Sequence, residues 1–142
     1  MPKLPAYPAA EDLIEFVVSA ADTFRFFIDR KSLSVEQGGV VRYTVVARSP
    51  GGAQTVYYEG IRCRAGTYRV YAVGRGDRTW NVRASAEWRE IPLKVANRWY
   101  QGLQREFFCP QSAPIGDVEE GLDALRRGGH PNKAFDAGGA VR

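Results

Sequence analysis

The chain has 142 residues, of which 44% are hydrophobic and 25% are charged, with a formal net charge of +4. This composition predicts one globular domain with its own core and excludes a disordered polymer. No apolar run approaches the ~20 residues that a membrane-spanning helix needs, so we expect no membrane span. Sixteen of the basic residues are Arg and four are Lys. This bias reflects either GC-rich codon usage or a surface that binds phosphate or carboxylate groups.

The N-terminal part predicts a lead-in followed by two strands. Residues 1–12 contain three prolines and show no periodicity, so we expect a flexible lead-in. The short β-branched run at 13–18 predicts the first strand. In the run at 23–29, Phe24, Phe26 and Ile28 share one face of a strand, and Arg25 and Phe27 lie on the other. This alternation predicts a second strand that ends in a turn at Asp29.

The stretch Val40–Cys63 predicts the central hairpin of the sheet. Both halves alternate in the manner of strands, and the loop at 49–53 has the length of a four- or five-residue hairpin connection. A third run, Thr67–Val73, extends the hairpin to a meander with one covered face and one wet face. Gly60 within the second strand indicates a bulge or a close backbone approach.

The C-terminal part predicts helices. Residues 74–90 are less regular and predict a long crossover with a short strand near Trp80. From Leu93 to Cys109 apolar residues recur every three to four positions, which predicts an amphipathic helix. A second helix is expected at 117–127 and a disordered tail at 128–142. The fold class is therefore α+β: a single domain over 13–127 with an antiparallel sheet of about five or six strands and a C-terminal helix packed on one face.

The two cysteines, Cys63 and Cys109, leave two interpretations open. They form one disulfide in an oxidising compartment, or they are two buried thiols in a cytosolic protein. The opening residues lack the apolar core of a signal peptide, which favours the cytoplasm unless a signal peptide has already been removed. The cysteines and His130 are too few and too scattered for a zinc site, and no other metal or cofactor is expected.

A set of cationic and aromatic side chains is the candidate binding site. The set comprises Arg62, Arg64, Arg69, Arg75, Trp80 and Trp88. Basic grooves with aromatic platforms bind single-stranded nucleic acid, glycans or proteins, whereas the simplest interpretation is a solvated sheet face above an aromatic core. The tripeptide Arg75-Gly76-Asp77 also occurs in integrin ligands, but here it fits a turn between strands.

Glu59 is the one carboxylate that suggests catalysis. It lies within a β-rich run, where burial raises the pKa of a carboxyl group and makes it a candidate acid. The alternative is a salt bridge with Arg62 or Arg69. We assign no catalytic residue, because Glu59 has no obvious carboxylate or histidine partner and His130 falls in the expected tail.

Several segments between residues 16 and 110 share a recognisable pattern: 27–29, 32–34, 41–43, 58–63, 97–99 and 108–110. Together they resemble the cryptic-neisserial-protein-like family of exported Gram-negative proteins. The resemblance implies a disulfide between Cys63 and Cys109 and a periplasmic or outer-membrane-associated location. It implies no active site. The order of strands and cysteine is also loosely similar to that of protein E type surface adhesins.

The sequence therefore predicts a non-enzymatic envelope module that binds a protein or a glycan. An envelope location makes nucleic acid an unsuitable partner. Two alternatives stay open: an enzyme that acts on cell-wall material through Glu59, and a structural or assembly module that forms a homodimer.

Overall fold

The computed structural model describes residues 2–91 and 98–132, and its centre is an antiparallel sheet of eight strands. The strands in chain order are β1 (Leu13–Phe16), β2 (Arg25–Asp29), β3 (Ser34–Glu36), β4 (Val40–Arg48), β5 (Gln54–Arg62), β6 (Thr67–Gly74), β7 (Trp80–Val82) and β8 (Arg89–Glu90). Six of them follow the spatial order β1-β2-β4-β5-β6-β7, while β3 pairs with β4 and β8 pairs with β6.

The predicted α+β class is confirmed, but the sheet has more strands than the five or six expected. The strands that the sequence did not predict are β3 and β8, which contain three and two residues. Segments this short contain too few residues to show a period-two pattern. β4 extends past the end of β2, and β6 extends past the end of β7. The backbone groups that are left unpaired there bond to β3 and β8.

The central hairpin forms in the predicted place. Strands β4 and β5 pair from Val40 opposite Arg62 to Arg48 opposite Gln54 without interruption. Val41, Tyr43 and Val45 are fully buried on one side of the sheet. We call this side the helix face, and the opposite side, which carries the alternate residues of β4, β5 and β6, the arginine face.

The helical layer covers the helix face. Its elements are α1 (Arg98–Gly102), a π-helical segment (Leu103–Phe108), a 3₁₀ turn (Pro110–Ser112) and α2 (Val118–Arg127). Trp99, Leu103 and Phe107 are buried against the sheet, as the periodicity predicts. The part of the predicted first helix before Arg98 lies outside the described residues. Asp117 caps α2, since its carboxylate accepts a hydrogen bond from the backbone N–H of Glu120.

A disulfide joins the sheet to this layer. Cys63 follows the last residue of β5 and Cys109 follows the π-helical segment; the two are 46 positions apart in sequence with their Cα atoms 5.3 Å apart. Both residues are buried. The predicted pairing is confirmed.

The lead-in lies on the arginine face. The indole Nε1 of Trp80 donates a hydrogen bond to the carbonyl oxygen of Pro5 (3.0 Å), and the ring of Tyr7 packs on the same indole with centroids 5.0 Å apart. Asp12 ends a 3₁₀ turn (Ala10–Asp12) and forms an ion pair with Arg30 at 2.8 Å. The mobility expected for residues 1–12 stays a prediction.

The start of the predicted tail contacts the body of the protein. His130 is buried, its Nε2 lies 2.6 Å from a carboxylate oxygen of Glu120, and its backbone N–H donates to the carbonyl oxygen of Glu106. Residues 133–142, the rest of that segment, lie outside the described residues.

Candidate binding face

A β-bulge shapes the middle of the arginine face. The register of β5 and β6 shifts between Tyr58 and Glu59, which leaves Tyr71 as the additional residue of β6. The Tyr71 ring lies across Gly60, where a Cβ atom would be 2.8 Å from the Tyr71 hydroxyl. The sequence predicts a bulge or a close backbone approach at Gly60; the bulge lies just before Gly60, and the group that approaches Gly60 closely is the Tyr71 side chain.

Two guanidinium groups flank that ring. The backbones of Arg42 and Arg69 both pair with Gly60, so their side chains project from the same row of the sheet. Their guanidinium carbons lie 5.8 Å and 5.3 Å from the centroid of the Tyr71 ring. Cation–π contacts of this kind orient the guanidinium groups and contribute about 0.5–1 kcal/mol each at exposed sites.

A third arginine extends the cluster toward the sheet edge. The guanidinium of Arg62 lies 4.3 Å above the ring of Trp88, and its Nε donates to the Thr67 hydroxyl at 3.1 Å. The Trp88 ring meets the Tyr71 ring edge-on with centroids 6.3 Å apart. We call Arg42, Arg62, Arg69, Tyr71 and Trp88 the basic–aromatic patch.

The cations of this patch are almost unpaired. In the described part of the chain, the patch has one carboxylate within ion-pair distance, Glu36, at 3.8 Å from Arg42. The Nε atoms of Arg42 and Arg69 are buried and have no hydrogen-bond partner among the described residues. Buried donors normally find an acceptor, so these two Nε atoms are exceptions among the described residues.

The structure divides the six predicted binding residues into separate regions. Arg62, Arg69 and Trp88 belong to the patch. Trp80 lies beneath the lead-in, and Arg75 lies in the turn between β6 and β7. Arg64 is exposed in the turn between β5 and β6.

Two residues of the patch were absent from the predicted site. Arg42 lies on β4 and Arg62 on β5, so their common face and the pairing of Arg42 with Arg69 through Gly60 both require the register. Alternation from Arg69 already places Tyr71 on this face, and its ring lies across Gly60 beside the bulge.

The salt bridge predicted between Glu59 and Arg62 or Arg69 is wrong. The side chain of Glu59 lies on the helix face, and those of the two arginines lie on the arginine face, because adjacent positions of paired strands alternate in direction. Glu59 is 0% exposed and accepts hydrogen bonds from the hydroxyls of Tyr43 (2.8 Å) and Tyr100 (2.5 Å). Burial raises the pKa of Glu59 to about 7, although both hydrogen bonds act in the opposite direction.

A cleft of about 440 Å³ opens on the helix face, next to α1. Tyr57, Tyr68 and Tyr100 are among its walls. Glu59 is fully buried and is not among the residues that line the cleft.

The integrin-type tripeptide forms a closed turn. The carboxylate of Asp77 accepts hydrogen bonds from the backbone N–H of Thr79 (3.2 Å) and from its hydroxyl (2.6 Å). These bonds lower the pKa of Asp77 and hold its carboxylate within the turn. The tripeptide thus has a local structural role.

Neither a metal site nor a membrane-spanning helix occurs in the described residues. Within 2–91 and 98–132, no three His, Cys, Asp or Glu side chains cluster in a way that could hold a metal ion. The helices of the same residues are all too short or too polar to span a membrane.

Comparison with protein-family models identifies a family for this chain. The model of the CNP1-like family matches residues 1–126. The chain belongs to the CNP1-like family. The match confirms the resemblance found in the sequence, and it includes the lead-in that covers part of the arginine face. Comparisons with curated proteins and with solved structures return no significant match.

Proposed function

We propose that this CNP1-like family member is an exported, non-enzymatic binding module whose basic–aromatic patch binds an acidic protein or glycan of the cell envelope. The observation that carries the proposal is a set of oriented arginines on an open sheet face with almost no carboxylate partners. Arginine forks fit carboxylates with two parallel hydrogen bonds, so the patch supplies both charge and geometry.

The aromatic rings of the patch act mainly by orienting the cations. Tyr71 is only 3% exposed, so it offers little surface for stacking on a sugar. Trp88 is half-buried and already has Arg62 above its ring. The recognised chemistry is therefore the carboxylate of the partner.

The disulfide supports the exported location. Disulfides persist in the periplasm and other oxidising compartments and are rare in the cytosol of mesophilic bacteria. A bond between two buried cysteines that links sheet and helices suits a protein that folds outside the cytosol.

Binding to defined polyanions tests the proposal. Biolayer interferometry on immobilised polyglutamate and alginate, with neutral dextran as the reference, should show salt-sensitive binding of the wild type to at least one polyanion. The double variant Arg62→Gln/Arg69→Gln should weaken that binding by about tenfold or more, because it removes two charge-assisted contacts. Its free energy of unfolding should change by less than about 1 kcal/mol for each arginine, the value of an exposed cation–π contact.

A matched variant separates the patch from net charge. Arg105→Gln/Arg126→Gln removes two exposed arginines from the helical layer and should bind as the wild type does. Equal weakening in both double variants would mean that net charge alone drives binding. Wild-type protein that prefers neither polyanion over dextran would contradict the proposal.

The second candidate function is a cell-wall-acting enzyme that uses Glu59. The observation in its favour is a carboxyl group whose pKa is raised to about 7, a value suited to proton transfer. Its full burial counts against access by a glycan strand. Release of soluble fragments from purified peptidoglycan by the wild type, and its loss in Glu59→Gln, would replace the binding proposal with this one.

A further inference from the structure

A second basic site lies on the arginine face, separated from the patch by the lead-in. It is a cleft of about 450 Å³ between the lead-in, the tip of the β4–β5 hairpin and the β6–β7 turn. Arg48, Arg75 and Arg78 line it, and its lining residues include no acidic side chain. We call these three residues with Tyr7 the arginine cleft. Leu13 and Val56 give it an apolar wall.

Arg48 is fixed in place by neighbours of its own sheet. Its Nε donates to the side-chain oxygen of Gln54 at 2.9 Å, and its guanidinium lies 4.5 Å above the ring of Phe27. No carboxylate lies within ion-pair distance of Arg48 in the described residues. Glu15 acts on the charge of Arg48 only from beyond that distance.

The turn that carries the other two arginines is closed by its own hydrogen bonds. The backbone N–H of Arg75 donates to Thr79, and that of Arg78 donates to Arg75. Asp77, the acid of this turn, is held by Thr79 and does not line the cleft. The turn thus presents two cations to the cleft, while its carboxylate acts electrostatically on Arg75 and Tyr7 from outside the lining.

Arg78 also connects the turn to the lead-in. Its Nη2 donates to the carbonyl oxygen of Pro8 at 3.2 Å, and its guanidinium lies 5.2 Å from the centroid of the Tyr7 ring. The residue has a φ of 66°, a left-handed conformation that costs energy for any residue other than glycine. The contacts of its side chain with Pro8 and Tyr7 offset this cost and hold the guanidinium at the cleft.

We infer that the arginine cleft binds a phosphate monoester carried on a small organic body, such as a phosphorylated sugar or a lipid headgroup with the same phosphate. Three guanidinium groups in a cleft with no acidic lining residue suit a dianion better than a single carboxylate, and arginine forks pair with phosphate oxygens. The volume of the cleft falls within the roughly 300–1,000 Å³ that is typical of small-molecule sites. The organic part of the ligand therefore has room beside Tyr7 and the apolar wall. The site shares no residue with the basic–aromatic patch.

Calorimetric titration with glucose 1-phosphate, with glucose as the uncharged reference, tests this inference. The wild type should bind glucose 1-phosphate saturably and glucose not at all. Arg75→Gln/Arg78→Gly should weaken binding by about tenfold or more, because two charged donors are lost. Glycine is chosen at position 78 because it adopts the same φ without strain, so the variant should remain folded.

Two control variants locate the effect. Arg83→Gln removes an exposed arginine outside the cleft and should bind as the wild type does. Arg62→Gln/Arg69→Gln should also leave glucose 1-phosphate binding unchanged, so this test can fail while the proposed function stands. Equal binding by Arg75→Gln/Arg78→Gly and wild type would overturn the inference.

Vesicles separate the two sources of phosphate. Phosphatidylcholine vesicles with and without phosphatidate are sedimented with the protein. Binding to the phosphatidate vesicles that is lost in Arg75→Gln/Arg78→Gly, without binding of glucose 1-phosphate, assigns the phosphate to a lipid headgroup. Binding of glucose 1-phosphate without binding to the phosphatidate vesicles assigns it to a soluble sugar phosphate. Binding of neither probe by the wild type overturns the inference.

Discussion

The two faces of the sheet come from the same strands and have opposite properties. On the helix face, Tyr43, Val45 and Ile61 are completely buried, and the one carboxylate, Glu59, has two tyrosine hydroxyls as partners. On the arginine face, Arg62 and Arg69 are half-buried and have no carboxylate within ion-pair distance among the described residues.

Under the proposed function, this difference separates stability from recognition within one sheet. Burial of apolar surface contributes about 25 cal/mol per Å², and the largest buried cluster lies on the helix face. Charged donors on the arginine face add little stability, and the proposal assigns them to binding. Changes to the helix face should therefore alter unfolding, and changes to the arginine face should alter binding.

The largest expected effect concerns the bond that closes the helix face. Cys63→Ala/Cys109→Ala releases the link between sheet and helical layer. For a separation of 46 residues the loop-entropy model gives a loss of about 4 kcal/mol, which corresponds to a melting temperature lower by roughly 10 °C. Differential scanning calorimetry without reductant measures the shift.

Reductant provides the control for this variant. Dithiothreitol should lower the melting temperature of the wild type to that of the double variant and leave the double variant unchanged. If the two proteins melt at the same temperature without reductant, the bond does not hold the helical layer on the sheet.

The second effect concerns the pH dependence of stability. The pKa of Glu59 rises from 4.5 in the unfolded chain to about 7 in the folded protein because of burial. Protonated Glu59 favours the folded state, so its contribution is complete below pH 4.5 and is lost as the pH rises to 7. The linked change is about 3 kcal/mol, and it is expected as a fall in the free energy of unfolding across that window.

Glu59→Gln should remove this slope. The amide stays neutral at every pH and keeps a hydrogen-bonding group between Tyr43 and Tyr100, so the variant should be as stable as the wild type at pH 5 and more stable at pH 8. Urea unfolding at intervals between pH 4.5 and pH 8 measures the slope. Glu87→Gln, an exposed matched change, should keep the wild-type slope. A wild-type slope in Glu59→Gln would mean that other groups cause the pH dependence.

The fold was predictable where the pattern was long. Strands β4, β5 and β6 have eight or nine residues each, and α2 has a capping Asp and a terminal Gly. Strands β3 and β8 were not predictable, because they depend on free backbone groups of their partners. The α-helical pattern near Leu103 continues as a π-helical segment, a change of hydrogen bonding that side-chain spacing does not reveal.

The candidate site was less predictable than the fold. Alternation within β5 shows that Glu59 points away from Arg62, whereas the relation of Glu59 to Arg69 follows only from the pairing of β5 with β6. Three features depend on strand register, on the bulge and on the path of the lead-in. They are the approach of Arg42 to Arg69 across Gly60, the position of the Tyr71 ring over Gly60, and the arginine cleft. These are relations between distant segments, and a single sequence does not contain them.

The smallest expected effect concerns the lead-in, which covers part of the arginine face. Trp80→Phe removes the hydrogen bond from the indole to Pro5 and keeps most of the ring that packs on Tyr7. One such bond contributes about 1 kcal/mol, so the free energy of unfolding should fall by about that amount. Hydrogen exchange followed by mass spectrometry should show faster exchange in residues 2–12 and unchanged exchange in α2, since the helical layer lies on the other side of the sheet.

Trp88→Phe gives the matched control, because it shortens an aromatic residue of the same face away from the lead-in. It should leave exchange in residues 2–12 unchanged. If exchange there is also unchanged in Trp80→Phe, the indole does not anchor the lead-in, and packing of Tyr7 must hold it. If exchange in α2 rises together with that of the lead-in, the two faces unfold as one unit. A change on the arginine face would then destabilise the helix face as well, and the proposed separation of stability from recognition would be wrong.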